Sequence, residues 1–116
     1  MLPRLQKTIA KLQTNGVTIL AGSDVAGDRV PEFSLQDELK ALSAAGLTPI
    51  EVLQAATLSP AKVMGRSADY GSVVAGKIAD QLLLDEDPTK NVAAFRQIDA
   101  VVLHVPKGCE RKPQHP

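Results

Sequence analysis

The sequence predicts a mixed α/β chain whose character changes near its middle. Three observations predict it. The first 65 residues carry apolar residues at helical spacing, punctuated by helix caps. Inside that helical stretch lies one uncharged, β-branched run, Val17-Thr18-Ile19-Leu20-Ala21. After Gly65 to Tyr70 the chain turns to short apolar runs separated by Gly and Pro.

Leu2, Leu5, Ile9 and Leu12 recur at spacings of three and four, with Lys7, Lys11 and Gln13 between them, which predicts an amphipathic helix. Gly16 is placed to end it in a left-handed conformation. Val17 to Ala21 then reads as a strand buried on both faces, as in a parallel sheet, because the run has no polar alternation. Gly22-Ser23-Asp24 ends this strand, and a loop follows through Gly27, Asp28, Arg29 and Pro31. Ser34 is expected to N-cap the next helix, supported by Asp37, with Leu35, Leu39 and Leu42 on one face and Gly46 as the stop. Thr48-Pro49-Ile50-Glu51 combines a capping hydroxyl, a first-turn proline and a third-position glutamate, so a helix should run from there to about Ala56. Ser59-Pro60 opens a further short helix that Gly65 closes. Beyond it, residues 71–74 and 81–84 read as strands around a Gly76-Lys77 turn. Asp85, Asp87 and Pro88 mark a loop, Val92 to Phe95 a helical turn, and Ile98 to Val105 a last strand ended by Pro106 and Gly108.

Composition narrows the function. With 116 residues the chain suits one small domain or pieces of two. Thirteen basic and thirteen acidic residues cancel, no basic stripe is present, and Phe33, Tyr70 and Phe95 are the only aromatics. That argues against nucleic acid as a partner. No apolar run approaches membrane-spanning length. The N-terminal residues lack the apolar core of a signal peptide, and Cys109 is the only cysteine, which excludes an internal disulfide and a thiolate metal site. A cytoplasmic setting is expected. Lys107, Arg111 and Lys112 among prolines read as a solvated tail over residues 109–116.

One residue stands out chemically. Asp24 lies just past the C-terminal end of the expected strand, where ligands of α/β folds bind. A carboxylate there can ligate a divalent metal or accept a proton from metal-bound water. It can equally cap a turn through its own backbone, and spacing alone leaves both readings open. Asp37 and Glu38 open a helix and suit its dipole better than an acid–base pair. Asp85, Glu86 and Asp87 lack calcium-loop spacing. His104 has no sequence neighbours with which to bind metal. Gly71, Gly76 and Lys77 form no phosphate loop.

The order of motifs resembles the C-terminal end of a metal-dependent amidohydrolase of the imidazolonepropionase-like family. The stretches that carry the resemblance are Ile19 to Asp24, Ser34-Leu35-Gln36-Asp37-Glu38-Leu39, Ala45-Gly46-Leu47-Thr48-Pro49-Ile50-Glu51 and Ala55-Ala56-Thr57-Leu58-Ser59-Pro60-Ala61-Lys62. Gly71-Ser72-Val73, Gly76-Lys77-Ile78-Ala79-Asp80 and Leu82-Leu83-Leu84-Asp85 complete the series. The resemblance implies a (β/α)8 barrel that holds one or two divalent metal ions, usually zinc, beside a small β-sandwich. Residues 1–66 would be the end of the barrel, with Val17 to Ala21 its last strand, and residues 67–108 a share of the sandwich. Asp24 would be both metal ligand and proton shuttle, and the reaction hydrolysis of carbon–nitrogen bonds in small-molecule amides or cyclic amides.

The family's other metal ligands, a His-x-His pair and further histidines, do not occur; the histidines are His104 and His115. Gln36 replaces a histidine common in relatives, and Gln81 puts an amide into a strand expected to be buried. A partner is therefore implied, the N-terminal barrel portion, without which these residues would hold no metal and be inactive. An oligomer is compatible with this reading. The alternative is a non-catalytic structural or interaction module, or a truncated inactive fragment.

Overall fold

A computed structural model describes residues 2–24 and 33–104. Four helices precede a two-stranded sheet: α1 (Leu2–Thr14), α2 (Ser34–Ala44), α3 (Pro49–Ala56), α4 (Leu58–Val63), β1 (Gln81–Leu84) and β2 (Ile98–Val102), with a 3-10 helix at Val92–Arg96 between the strands. The fold is thus mixed α/β.

Helix ends follow the expected chemistry closely. Gly16 takes φ 79, and its N–H and that of Val17 return to the carbonyls of Gln13 and Leu12, closing α1 in the paired-bond motif that suits a left-handed glycine. The same pairing closes α2 at Gly46 and Leu47, and α4 at Gly65 and Arg66. At the start of α3, Thr48 and Glu51 form a complete capping box with Pro49 in the first turn. Glu51 also accepts from Gln13 Nε2 at 3.2 Å, tying α1 to α3. The cap expected at Ser34 is corrected: Phe33 occupies the N-cap of α2 without a side-chain bond, and Ser34 is the first helical residue, buried. Asp37 instead pairs with Arg96, which also stacks over the Phe33 ring at 5.7 Å.

The core is small and aliphatic. Leu39 and Leu42 of α2, Leu47, and Val52 and Ala55 of α3 form one cluster; Ile9, Ile19, Ala21, Val92 and Phe95 pack on its margins. Leu39, Leu42, Leu47 and Val52 are the only large apolar side chains buried among the described residues, and of them Val52 alone is fully so.

Two strand expectations are corrected. Val17 to Ala21 is not a strand, and no strand lies beside it among the described residues. A parallel strand needs backbone partners at its sides, and here the segment's backbone bonds run from Val17 N–H to Leu12 O and from Ala21 N–H to Ala55 O. Nor is it buried on both faces: Ile19, Ala21 and Ser23 are half-buried, whereas Thr18, Leu20, Gly22 and Asp24 are exposed. Residues 71–74 also form no strand. They sit between Gly71 and Gly76, both at φ 92, in turns that Lys77 fastens by donating to Ser67 O at 2.5 Å and Ser72 Oγ at 2.7 Å. At Gly71 the backbone approaches α4 so closely that a Cβ would stand 2.8 Å from Ala61 Cβ and 3.0 Å from Thr57 O.

β1 and β2 pair antiparallel, Leu82 opposite Val101 and Leu83 opposite Ala100, with an irregularity before Leu84. Gln81 proves unproblematic, because β1 is exposed rather than buried. Asp80 accepts from the His104 N–H at 2.7 Å beside the pair. The last strand is also shorter than expected: β2 ends at Val102, and Leu103 and His104 are not strand; the 27–31 loop, Val105 and the tail 109–116 lie outside the described residues.

Val52→Ala should cost about 2 kcal/mol in urea unfolding, since Val52 is 0% exposed. Thr48→Ala should cost about 1 kcal/mol through the lost cap. The Thr48 backbone N–H, then Gln13 and the Thr48 hydroxyl, hold the Glu51 carboxyl below its usual 4.5. A depressed carboxyl favours the folded chain above that value and loses its contribution as pH falls through the folded-state pKa. Melting temperature should therefore fall on the acid side of 4.5, and less steeply in Glu51→Gln, by thermal scans across that range.

Candidate functional site

The segment that carries Asp24 is laid across the helical core by two kinds of contact. Ile19 and Ala21 pack against the Leu39–Val52–Ala55 cluster, and the Ala21 N–H donates to Ala55 O at 2.9 Å. That carbonyl lies in the last turn of α3, where helix geometry leaves carbonyls without intrahelical partners. Ala55 is buried and carries no side chain beyond Cβ, which permits this approach.

Three residues beyond the anchored Ala21, Asp24 adopts φ 44, the only non-glycine residue at positive φ among the described ones. Aspartate tolerates the left-handed region better than most residues, and such outliers concentrate at functional sites and in turns. Its side chain is exposed, and neither ion pair of the described residues, Lys90–Asp87 or Arg96–Asp37, involves it.

The other chemically interesting residues serve local structure. Asp87 accepts from the Thr89 backbone and hydroxyl, forming the turn expected from its sequence, and these bonds lower its pKa. His104 is exposed and uses its backbone N–H, not its ring, to meet Asp80. Asp37 was legible as a helix-start charge; its Arg96 partner, 59 residues away, was not.

The described residues line open depressions, two of which are well defined. One, of about 200 Å³, is lined by Gln13, Val17, Thr18, Glu51, Gln54 and Ser59, at the start of the 17–24 segment rather than at Asp24. The other lies between α4 and Tyr70, where Arg66 stacks on the Tyr70 ring at 5.1 Å. No group of three or more His, Cys, Asp or Glu side chains converges among the described residues. A catalytic zinc takes three protein ligands, so the described residues by themselves do not fit a metal centre.

Comparison with known proteins gives a consistent picture. The sequence profile of the amidohydrolase family matches residues 4–108. Ochratoxinase of Aspergillus niger is 35% identical over 94 residues, 80% of this chain and 19% of the relative. Imidazolonepropionase of Pseudomonas paraeruginosa is 38% identical over 73 residues, 62% of this chain and 18% of the relative. The crystal structure of a putative prolidase from Bifidobacterium longum superposes with TM-score 0.75 at 33% identity, over 82% of this chain and 24% of that one. A Xaa-Pro dipeptidase gives TM-score 0.77 at 26% identity, over 87% and 24%. The chain thus spans about a fifth to a quarter of the length of these relatives. None of its described helices is long and apolar enough to cross a membrane.

A left-handed Asp24 makes a checkable demand on the backbone. Asp24→Gly should leave urea stability unchanged or raise it, whereas Asp24→Ala should cost about 1 kcal/mol. Equal effects of the two would mean that Asp24 does not hold positive φ in solution.

Proposed function

The chain belongs to the amidohydrolase family, and we propose that it forms the C-terminal part of a metal-dependent hydrolase that cleaves carbon–nitrogen bonds in small amides or cyclic amides. Asp24 is its catalytic carboxylate: it enters the divalent-metal site of the whole enzyme, zinc by family resemblance, and carries the proton between water and the leaving nitrogen. Residues 1–66 contribute the end of a barrel and residues 67–108 part of a β-sandwich, in a cytoplasmic enzyme.

One observation carries this reading. The carboxylate expected from the sequence stands exposed, at φ 44, three residues beyond Ala21, whose N–H is pinned to Ala55 of the core. A turn-capping aspartate would have its oxygens engaged locally, whereas neither ion pair of the described residues engages this side chain. A carboxylate that must reach a metal and a moving proton needs that freedom together with a fixed backbone. The names of the relatives support a class rather than a substrate. They include an imidazolonepropionase and a Xaa-Pro dipeptidase, so dipeptides belong in the panel of amides to be tried.

The direct test combines residues 1–116 with the Bifidobacterium longum prolidase from which the matched quarter has been removed. Hydrolysis of N-acyl amides and dipeptides is then followed with zinc and with a chelator. Activity should appear only in the mixture with metal, and Asp24→Asn should lower kcat by at least about 100-fold. Unchanged turnover with Asp24→Asn would remove the assigned role.

A further inference from the structure

The end of α1 is lightly held and carries a reactive pair, Asn15 followed by Gly16, both exposed. An asparagine side chain is open to slow attack by the backbone nitrogen of the next residue, which is one source of its thermal lability. Glycine is the most permissive follower, because it has no Cβ to obstruct ring closure and its backbone turns freely. The surroundings of Gly16 add no obstruction: nothing lies within 4 Å of where its Cβ would stand. In the folded chain, however, both reacting groups are occupied. The Gly16 N–H, the nucleophile, donates to Gln13 O at 3.1 Å, and Asn15 Nδ2, the leaving group, donates to Lys11 O at 2.6 Å. The last turn of α1 must therefore open before the ring can close. Little resists that opening. Residues 14–18 are all exposed, Ile9 packs on the core well upstream of them, and the side-chain tie near the turn is Gln13 Nε2 to Glu51 at 3.2 Å.

We propose that Asn15 is a site of spontaneous deamidation, gated by fraying at the end of α1, with the Gln13–Glu51 bond as its brake. The Gly16 nitrogen attacks Asn15 Cγ and gives up its proton to water. The Cγ–Nδ2 bond breaks, ammonia leaves, and a cyclic succinimide remains. Water then adds to either of its two carbonyls and opens the ring, so the net reaction consumes one water and releases one ammonia. Opening on one side gives aspartate. Opening on the other gives isoaspartate, whose main chain runs through the former side chain and is one methylene longer. Either product alters the turn. A carboxylate cannot donate to Lys11 O, and it sits at the negative end of the α1 dipole. The longer main chain also puts the closing bonds of α1, Gly16 N–H to Gln13 O and Val17 N–H to Leu12 O, out of register. The start of the 17–24 segment is thereby released while its Ala21 anchor stays in place.

Asn91 is the internal comparison, as the chain's other asparagine. It too is exposed, with an extended backbone at φ −148 and ψ 118. Its follower is Val92, whose branched Cβ crowds the attacking nitrogen, and its Oδ1 accepts from the Ala93 N–H at 3.0 Å.

The full chain is aged at mildly alkaline pH, in buffer and in urea, and conversion is followed by peptide mapping with mass spectrometry and by enzymatic methylation of isoaspartate. Asn15 should convert and Asn91 should not. Conversion should be faster in urea than in buffer. Gln13→Ala, which keeps a good helix former in place, should speed conversion roughly 2- to 10-fold in buffer, the range for loss of one hydrogen bond from the closed turn. In urea, where no turn is closed, it should have no effect. Trypsin should cut after Lys11 sooner in the aged chain than in the fresh one. Asn15→Gln should abolish that change with age, and Asn15→Asp, which has the charge without the longer main chain, should show part of it when fresh. The proposal is overturned if Asn15 stays intact or converts no faster than Asn91. The gate is overturned if buffer and urea give equal rates, or if Gln13→Ala converts at the wild-type rate in buffer.

Discussion

The structure depends on one aliphatic seam. Leu39 and Leu42 of α2 meet Val52 and Ala55 of α3 across Leu47, and α1, the 17–24 segment and the 3-10 helix gain their places by touching that seam. With burial worth about 1.5–3 kcal/mol for each such side chain, four buried large residues give modest cohesion. The caps and inter-element ties therefore matter out of proportion to their number. The Thr48–Glu51 box sets the start of α3, Gln13 extends it to α1, and the end of α3 holds Ala21. The segment that presents Asp24 is thus positioned by a helix at its carbonyl end and by the core along its inner side.

The surface tells the complementary story. Exposed large apolar residues outnumber buried ones among the described residues, and they include both faces of the β1–β2 pair, with Leu82, Leu83, Val101 and Val102 open to solvent. A two-stranded sheet is marginal in water without a third strand or a packed face. The 3-10 helix secures one end of this pair, since Ala94 is buried and Phe95 reaches the helical core, but the strands themselves remain bare. A family relationship in which this chain accounts for about a fifth of a relative's length accommodates such a surface.

The sequence made the helices legible because their signals are local. Thr48-Pro49-Ile50-Glu51 contains its own cap, and Gly16, Gly46 and Gly65 end helices by a bond pattern within six residues. Strands were read less well, because a strand is defined by a neighbour. Val17 to Ala21 has the composition of a doubly covered strand, yet among the described residues only its inner side has anything to cover it. Val73 and Val74 are β-branched but caught between two left-handed glycines, which bend the chain before pairing can start. Asp24 was legible as a candidate from its place after an apolar run. Its backbone angle was not, since positive φ at aspartate is decided by what the flanking segments are fastened to. Ser34 misled because the Ser-x-x-Asp pattern looks local, whereas Asp37 answers to an arginine from the far end of the chain.

The junction at Gly71 has a consequence for movement. Its backbone lies against Ala61, Leu58 and the Thr57 carbonyl with no room for a methyl group, and the Lys77 ammonium stitches the turns on either side of it. Contacts of this kind behave as a weld: they are lost all together or not at all, because a close-packed backbone has no intermediate separation that keeps its dispersion energy. The end of α4 and the turns around Gly71 therefore move together. Any relative motion of the two halves of the chain must be absorbed by segments other than this joint.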